Sequence, residues 1–238
     1  MIRIISVSKS FDDNKVLDHL SLEIPQGQII TILGESGTGK SVLLRHLVGL
    51  MRPDEGSIEI GERDLTKLSE REMLELRKTI GYLFQEGALF DFMTVFENVA
   101  FPLQEHTKMS RKEIMTKVQD MLNIVDLPGV EEKMPAELSG GMRKRVGLAR
   151  AMVLGSEILV CDEPTSGLDP IRSRDISDLI RQVTRKLKCT TVIASHDVHN
   201  SLRVSDRLVL IRDGKIVLDA PPKGFQSSEI PFVKEFMD

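Results

Sequence analysis

Eight consecutive residues, Gly34, Glu35, Ser36, Gly37, Thr38, Gly39, Lys40 and Ser41, carry the pattern G-x-x-x-x-G-K-[ST]. A chain so spaced can curl until consecutive amides point inward at phosphate oxygens, a path that needs positive φ and no Cβ at its glycines. Lys40 is then placed to reach β- and γ-phosphates, and the Ser41 hydroxyl to ligate magnesium. A second signal lies downstream, where the apolar run Ile158, Leu159, Val160, Cys161 ends in Asp162 and Glu163. A buried strand leaves such carboxylates at its C-terminal edge, where open parallel sheets bind ligands. Asp162 would hold the magnesium shell there, and Glu163 would polarise an attacking water. A phosphate loop followed by an acidic strand end is the order a nucleotide hydrolase requires.

The elements that must position these groups are legible as short β-branched runs at residues 2–7, 20–24, 29–33, 80–84, 158–161, 190–194, 207–211 and 215–218, with helical patterns between many of them. That alternation predicts an α/β fold with a mostly parallel central sheet. The phosphate loop follows the run 29–33 and leads into a helical stretch at 42–48, whose N-terminus adds partial positive charge. Ile176, Leu179, Ile180, Val183 and Leu187 recur at intervals of three and four, the apolar face of a helix that packs on the sheet. Ser69 with Glu72 and Ser110 with Glu113 read as capping boxes at two helix starts. Strand signals vanish between about 86 and 154, which places an inserted helical subdomain there. The expected organisation is one domain over residues 1–238, with a short C-terminal tail from about 221 to 238.

Composition bounds the function. The chain has 238 residues, 41% hydrophobic and 29% charged, enough for one large core or a core plus a subdomain. With 32 basic and 36 acidic side chains the formal charge is -4, so there is no global positive field, and nucleic acid is not an expected partner. The cysteines, Cys161 and Cys189, sit in apolar or β-branched runs and read as buried hydrophobes in a reduced compartment. No apolar run approaches the ~18 residues that cross a bilayer, and the first residues lack a signal-peptide core. The chain is expected to stay inside the cell.

Leu138, Ser139, Gly140, Gly141 and Met142, followed by Arg143, Lys144 and Arg145, spell LSGGMRKR shortly before the acidic strand. At this point the sequence resembles the ATP-binding cassette (ABC) family, whose signature is LSGGQ. Other motifs of that family stand in order: Gln85 at the end of a strand, Ser166 to Asp169 as SGLD, and His196 after the run 190–194. Phe11 stands where the family places an adenine-stacking aromatic. The resemblance covers essentially the whole chain. It implies a P-loop NTPase core of RecA type, with N-terminal antiparallel strands and the helical insertion, binding ATP and Mg2+. It also implies a sandwich dimer with a second copy: Ser139, Gly140 and Gly141 open a helix and would close on the γ-phosphate held by the opposite subunit. Gln85 would touch magnesium or the water, His196 would contact the γ-phosphate and orient Glu163, and Asp169 would sit across the dimer interface. Met142 departs from the usual glutamine, which removes any polar contact made through that side chain. His19, His46, His106 and His199 fit no motif and read as surface or core histidines.

Within the family, the early end of the chain after the last strands points to a motor subunit on a separate membrane permease, peripheral at the cytoplasmic face of the inner membrane. Free-standing soluble ATPases are the non-transport alternative. Phe84, Phe90, Phe92, Phe96 and Phe101 fall where the family builds the groove for a coupling helix, and equally where the subdomain would need a small core of its own. The stretch from Gln85 to Pro102 and the run LSGGMRKRVGLARA are similar to cassettes paired with MCE-domain phospholipid transporters. An MCE-domain substrate-binding subunit is therefore an expected partner, with an amino-acid or other small-solute importer as the alternative. Ile230, Phe232, Val233 and Phe236 in the tail could pack on their own domain or on the partner copy.

Overall fold

The computed structural model describes residues 1–237, and its backbone contacts divide into two compact units, residues 1–77 with 190–238 and residues 78–189. The first unit opens on β1 (Ile2–Phe11), which pairs antiparallel with β2 (Asn14–Ile24) and β4 (Glu55–Ile60), the latter continued by β5 (Arg63–Asp64). β4 and β5 escape a reading of the sequence, because Glu55, Gly56 and Ser57 dilute the pattern and Ile58 is the one fully buried apolar residue of β4. The pairing itself supplies what composition does not, since Ile58 lies opposite Ile4 and Ile60 opposite Ile2.

In the same unit β3 (Ile29–Leu33) runs parallel to both β8 (Thr190–Ser195) and β9 (Arg207–Arg212), and β10 (Lys215–Ala220) turns back antiparallel on β9. Every residue of β3 and β8 is buried, as strands covered on both faces must be, so they read as continuous apolar runs rather than alternations. The intruding hydroxyl of Thr31 is satisfied by Ser205 at 2.6 Å. Helix α1 (Lys40–Leu47) follows β3, α2 (Glu70–Arg77) starts at the Ser69–Glu72 box, and α7 (Val198–Val204) follows β8. The tail forms α8 (Pro222–Gln226) and α9 (Pro231–Met237), and Phe225 and Val233 are wholly buried with Leu33, Leu208 and Leu210. Its apolar residues thus pack on their own unit, and Asp238 lies outside the described residues.

The second unit holds two parallel strands, β6 (Ile80–Leu83) and β7 (Ile158–Asp162). Its helices are α3 (Val95–His106), α4 (Arg111–Ile124), α5 (Gly140–Met152) and α6 (Pro170–Leu187), with a short 3-10 turn at Pro135–Glu137. Both α3 and α4 open on capping boxes, Thr94 with Glu97 and Ser110 with Glu113, each satisfying orphan amides at the helix start. α6 buries Ile176, Leu179, Ile180 and Val183, the stripe expected from its spacing. Cys161 and Cys189 are buried outside any disulfide, and burial pushes the Cys161 thiol far above its ordinary range, so it is inert.

Candidate functional site

In the first unit, parallel pairing sets Leu33 of β3 opposite Ser195 of β8. The next residues on the two strands, Gly34 and His196, therefore leave the sheet side by side at its carboxyl edge. His196 is exposed there, and the loop 34–41 wraps from β3 into α1. Gly39 is the cap of α1 at φ 95°, and a Cβ on it would lie 2.9 Å from the Val16 carbonyl oxygen. A Cβ on Gly34 would stand 2.6 Å from the Thr38 hydroxyl and 2.7 Å from the Ile211 carbonyl. Both positions exclude any side chain, and Gly39 lends α1 no capping group of its own, so the first amides of that helix face the loop. Lys40 is 6% exposed, and its Nζ donates to the carbonyls of Gly34 (2.7 Å) and Glu35 (2.9 Å), which curls the loop around the ammonium. Thr38 Oγ1 donates to the Glu35 carbonyl at 2.9 Å, and Ser41 occupies the second position of α1. Glu35, Ser36 and Gly37 are open to solvent. The β1–β2 hairpin abuts this loop through Val16, with Phe11 at its tip 42% exposed and Lys9 Nζ 5.6 Å from the ring centroid.

In the second unit, Leu83 of β6 lies opposite Cys161 of β7, so Gln85 follows one strand end and Asp162 with Glu163 close the other. Tyr82 Oη donates to Asp162 Oδ2 at 3.1 Å. Glu163 has left-handed backbone at φ 47°, a conformation that costs a non-glycine residue about 1–2 kcal/mol and marks the strand end as a place where position outweighs local comfort. Gln85 Nε2 donates to Ser166 Oγ at 3.0 Å. Ser139 caps α5, its Oγ accepting from the Met142 amide at 3.3 Å, and Gly140 and Gly141 form the first turn. Asp169 caps α6, and the amides of Arg172 and Ile171 hold its carboxyl below the usual carboxylate range. Each unit thus assembles part of the predicted set: Phe11, the loop 34–41 and His196 in the first, Gln85, Asp162, Glu163, Ser139, Gly140, Gly141 and Asp169 in the second.

Some contributors are not singled out by the sequence. Lys144, within the basic run Arg143 to Arg145, is 5% exposed, and its Nζ donates to the carbonyls of Gln85 (2.9 Å) and Ser166 (2.7 Å). Burial pushes its pKa below the ordinary lysine range. Asn98 is fully buried and binds the backbone of Phe90, Met93 and Thr94, while Arg150 donates to the carbonyls of Gly87 and Ala88. Of the other histidines, His46 is buried with Nδ1 2.6 Å from the Val42 carbonyl, and His19, His106 and His199 are exposed.

Residues 17–166, which include the phosphate loop, the signature and the acidic strand end, match the model of the ABC transporter family. The chain belongs to the ABC transporter family. It is the ATPase component, with the α/β fold of ABC cassettes. An ATP-binding cassette, MJ0796, solved as a dimer in a post-hydrolysis state with ADP and Pi, superposes with a TM-score of 0.84 at 28% identity over 93% of this chain and 99% of that one. Among named relatives, the probable ribonucleotide transport ATP-binding protein Mkl of Mycobacterium leprae is 43% identical over all of this ABC ATPase, which spans 68% of that protein. The intermembrane phospholipid transport ATP-binding protein MlaF of Haemophilus influenzae is 37% identical over 100% of this chain and 90% of its own length.

Removing the ammonium tests the phosphate-loop half of the site. Lys40→Ala is expected to weaken ATP binding roughly tenfold or more, since a hydrogen bond to a charged group contributes about 1.5–3 kcal/mol and each 1.4 kcal/mol is tenfold. Hydrolysis should fall with it, because in that role the same charge would contact the phosphates throughout. Unchanged nucleotide affinity by calorimetry contradicts the assignment of this loop to phosphate.

Proposed function

We propose that this ABC ATPase works as a head-to-tail pair of identical subunits, hydrolysing ATP at the cytoplasmic face of the inner membrane to drive a separate permease that moves phospholipid between membranes. The observation that carries the substrate class is the alignment with MlaF, which runs through the whole of this chain and nine tenths of that relative. An MCE-domain subunit belongs to the same reading. The names of a ribonucleotide transport relative and of a methionine import relative 41% identical over 94% of this chain favour a second reading, a small-solute importer. Among the described residues no helix is long and apolar enough to cross a membrane; in this reading the permease is a separate chain.

In this reading the amides at the start of α1 and the Lys40 ammonium bind the phosphates, and Phe11 stacks on adenine. The Glu163 carboxylate accepts a proton from water as its oxygen attacks the γ-phosphorus, and the bond to the ADP oxygen breaks. His196 orients Glu163, and Gln85 sits beside the water. Ser139 and the amides of Gly140 and Gly141 receive the γ-phosphate held by the second copy, with Asp169 at the interface between copies. By their chemistry the donors fit magnesium, which takes one or two carboxylates along with phosphate oxygens and waters: in this reading Asp162, whose carboxylate accepts from Tyr82, the Ser41 hydroxyl and the Gln85 amide oxygen would hold it. When bound, the ion neutralises charge that builds on the phosphate oxygens.

Purifying the tagged chain with its membrane complex tests the substrate assignment. Mass spectrometry should find an MCE-domain protein, a permease and bound phospholipid. A soluble solute-binding protein in their place, without phospholipid, favours the second reading.

The docking surface is narrowed by the rings. Phe90 packs edge-on to Phe101 at 5.2 Å and lies 5.5 Å from the Arg150 guanidinium, so it belongs to the subdomain's own packing. Phe92 touches Phe90 with ring centroids 5.7 Å apart, yet is 76% exposed and turns most of its surface outward. Phe92→Ser should lower recovery of the permease roughly tenfold or more, as truncating an aromatic anchor costs about 2 kcal/mol, with nucleotide affinity of the isolated chain unchanged. Phe90→Ala should lower Tm instead. Equal recovery of permease with Phe92→Ser places the docking surface elsewhere.

A further inference from the structure

Burying an ammonium is costly, and one is tolerated inside a protein where its N–H groups find acceptors. Lys144 is such a group. It lies in the second turn of α5, the helix that Ser139 opens, and reaches two loops that are far apart in the chain. One bond goes to the Gln85 carbonyl after β6 and another to the Ser166 carbonyl after β7. The two loops are also joined directly, Gln85 Nε2 to Ser166 Oγ, and the Ser166 amide donates back to the Glu163 carbonyl at 3.1 Å. Glu163 and Glu86 both act electrostatically on the lysine. Main-chain atoms are the acceptors, so the connection fixes the path of each loop rather than one rotamer.

We infer that Lys144 is a positioning residue that ties the Gln85 loop and the Glu163–Ser166 loop to the signature helix, so that the glutamine and the water-activating carboxylate are set by α5 as one unit. This rests on the roles proposed above for Gln85 and Glu163. The lysine touches neither nucleotide nor water in this scheme. A displacement of α5 moves both loops together, which links engagement of Ser139 to the placement of the hydrolytic groups.

The test uses the full chain with Lys144→Met, which keeps the stem and removes the donors, Lys144→Arg, which restores two N–H groups, and Lys144→Gln, whose amide spans less distance. Steady-state hydrolysis should show kcat about 10–100-fold lower for Lys144→Met, the cost of misplacing reacting groups by about an ångström, with KM for ATP within about twofold. Lys144→Arg should recover most of the loss. Amide hydrogen exchange without nucleotide should quicken in segments 85–88 and 166–168 together in Lys144→Met, while α5 stays protected. If Lys144→Met does not fold, Lys144→Gln carries the test, with lower kcat and faster exchange in at least one of the two segments. Wild-type kcat and exchange in whichever variant folds overturn the inference, as does a parallel change in KM and kcat that Arg fails to restore. A wild-type chain that hydrolyses no ATP refutes the proposed function instead, and the exchange result stands apart from it.

Discussion

Glu163→Gln should hydrolyse ATP roughly 10²–10⁴-fold more slowly than the wild type, the range that a positioned general base contributes, while binding ATP with near-normal affinity. The substitution is chosen for what it leaves alone. Glutamine has the same length and meets the same left-handed backbone cost at this position, where φ is 47°, so the strand end keeps its path. The Tyr82 contact to Asp162 and the phosphate loop are untouched. What disappears is a carboxylate able to take a proton from water. Because ATP would bind and not turn over, an ATP-dependent dimer should accumulate, visible by size-exclusion chromatography with light scattering. Hydrolysis near the wild-type rate moves the base to another residue.

The next largest effect is expected at Ser139, which sets its hydroxyl on the first turn of α5. Ser139→Glu puts a carboxylate where the γ-phosphate of the opposite copy would arrive. Two like charges about 4 Å apart repel by ~4 kcal/mol at the effective dielectric of a protein surface, roughly a thousandfold in an equilibrium. ATP should still bind each monomer, since the loop 34–41 and Lys40 are unchanged. Hydrolysis should collapse, and mixing Ser139→Glu with Lys40→Ala chains should restore one composite site with an intact loop facing an intact signature. The single variant decides: turnover at the wild-type rate means catalysis does not need the signature from a second copy.

How far these sites can be read without coordinates depends on how local their causes are. The phosphate loop is legible because its pattern is contained in eight contiguous residues, and the strand end 158–162 because burial on both faces leaves a continuous apolar run. The capping boxes at Ser69 and Ser110 are legible for the same reason, being closed within three residues. β4 is not, since its strand character comes from pairing with β1 roughly fifty residues away. Lys144 is hidden more deeply: three basic residues in a row look solvated, and only the convergence of two distant carbonyls on one of them explains its burial. The rings from Phe84 to Phe101 form one cluster by composition, and their division into packed Phe90 and outward Phe92 is a tertiary fact.

The segment after Gln85 is held by Asn98 and Arg150 almost entirely through main-chain atoms, at Gly87, Ala88, Phe90, Met93 and Thr94. A scaffold that grips the backbone is indifferent to most of the side chains it displays. Asp91 and Phe92, both exposed, can therefore be exchanged for other residues with the path of the segment retained, while Asn98 and Arg150 cannot. This separates the residues that set shape from those free to set affinity, so, on the docking role proposed for Phe92, a library varied at the two displayed positions should change which membrane protein the cassette accepts without reopening the question of whether it folds.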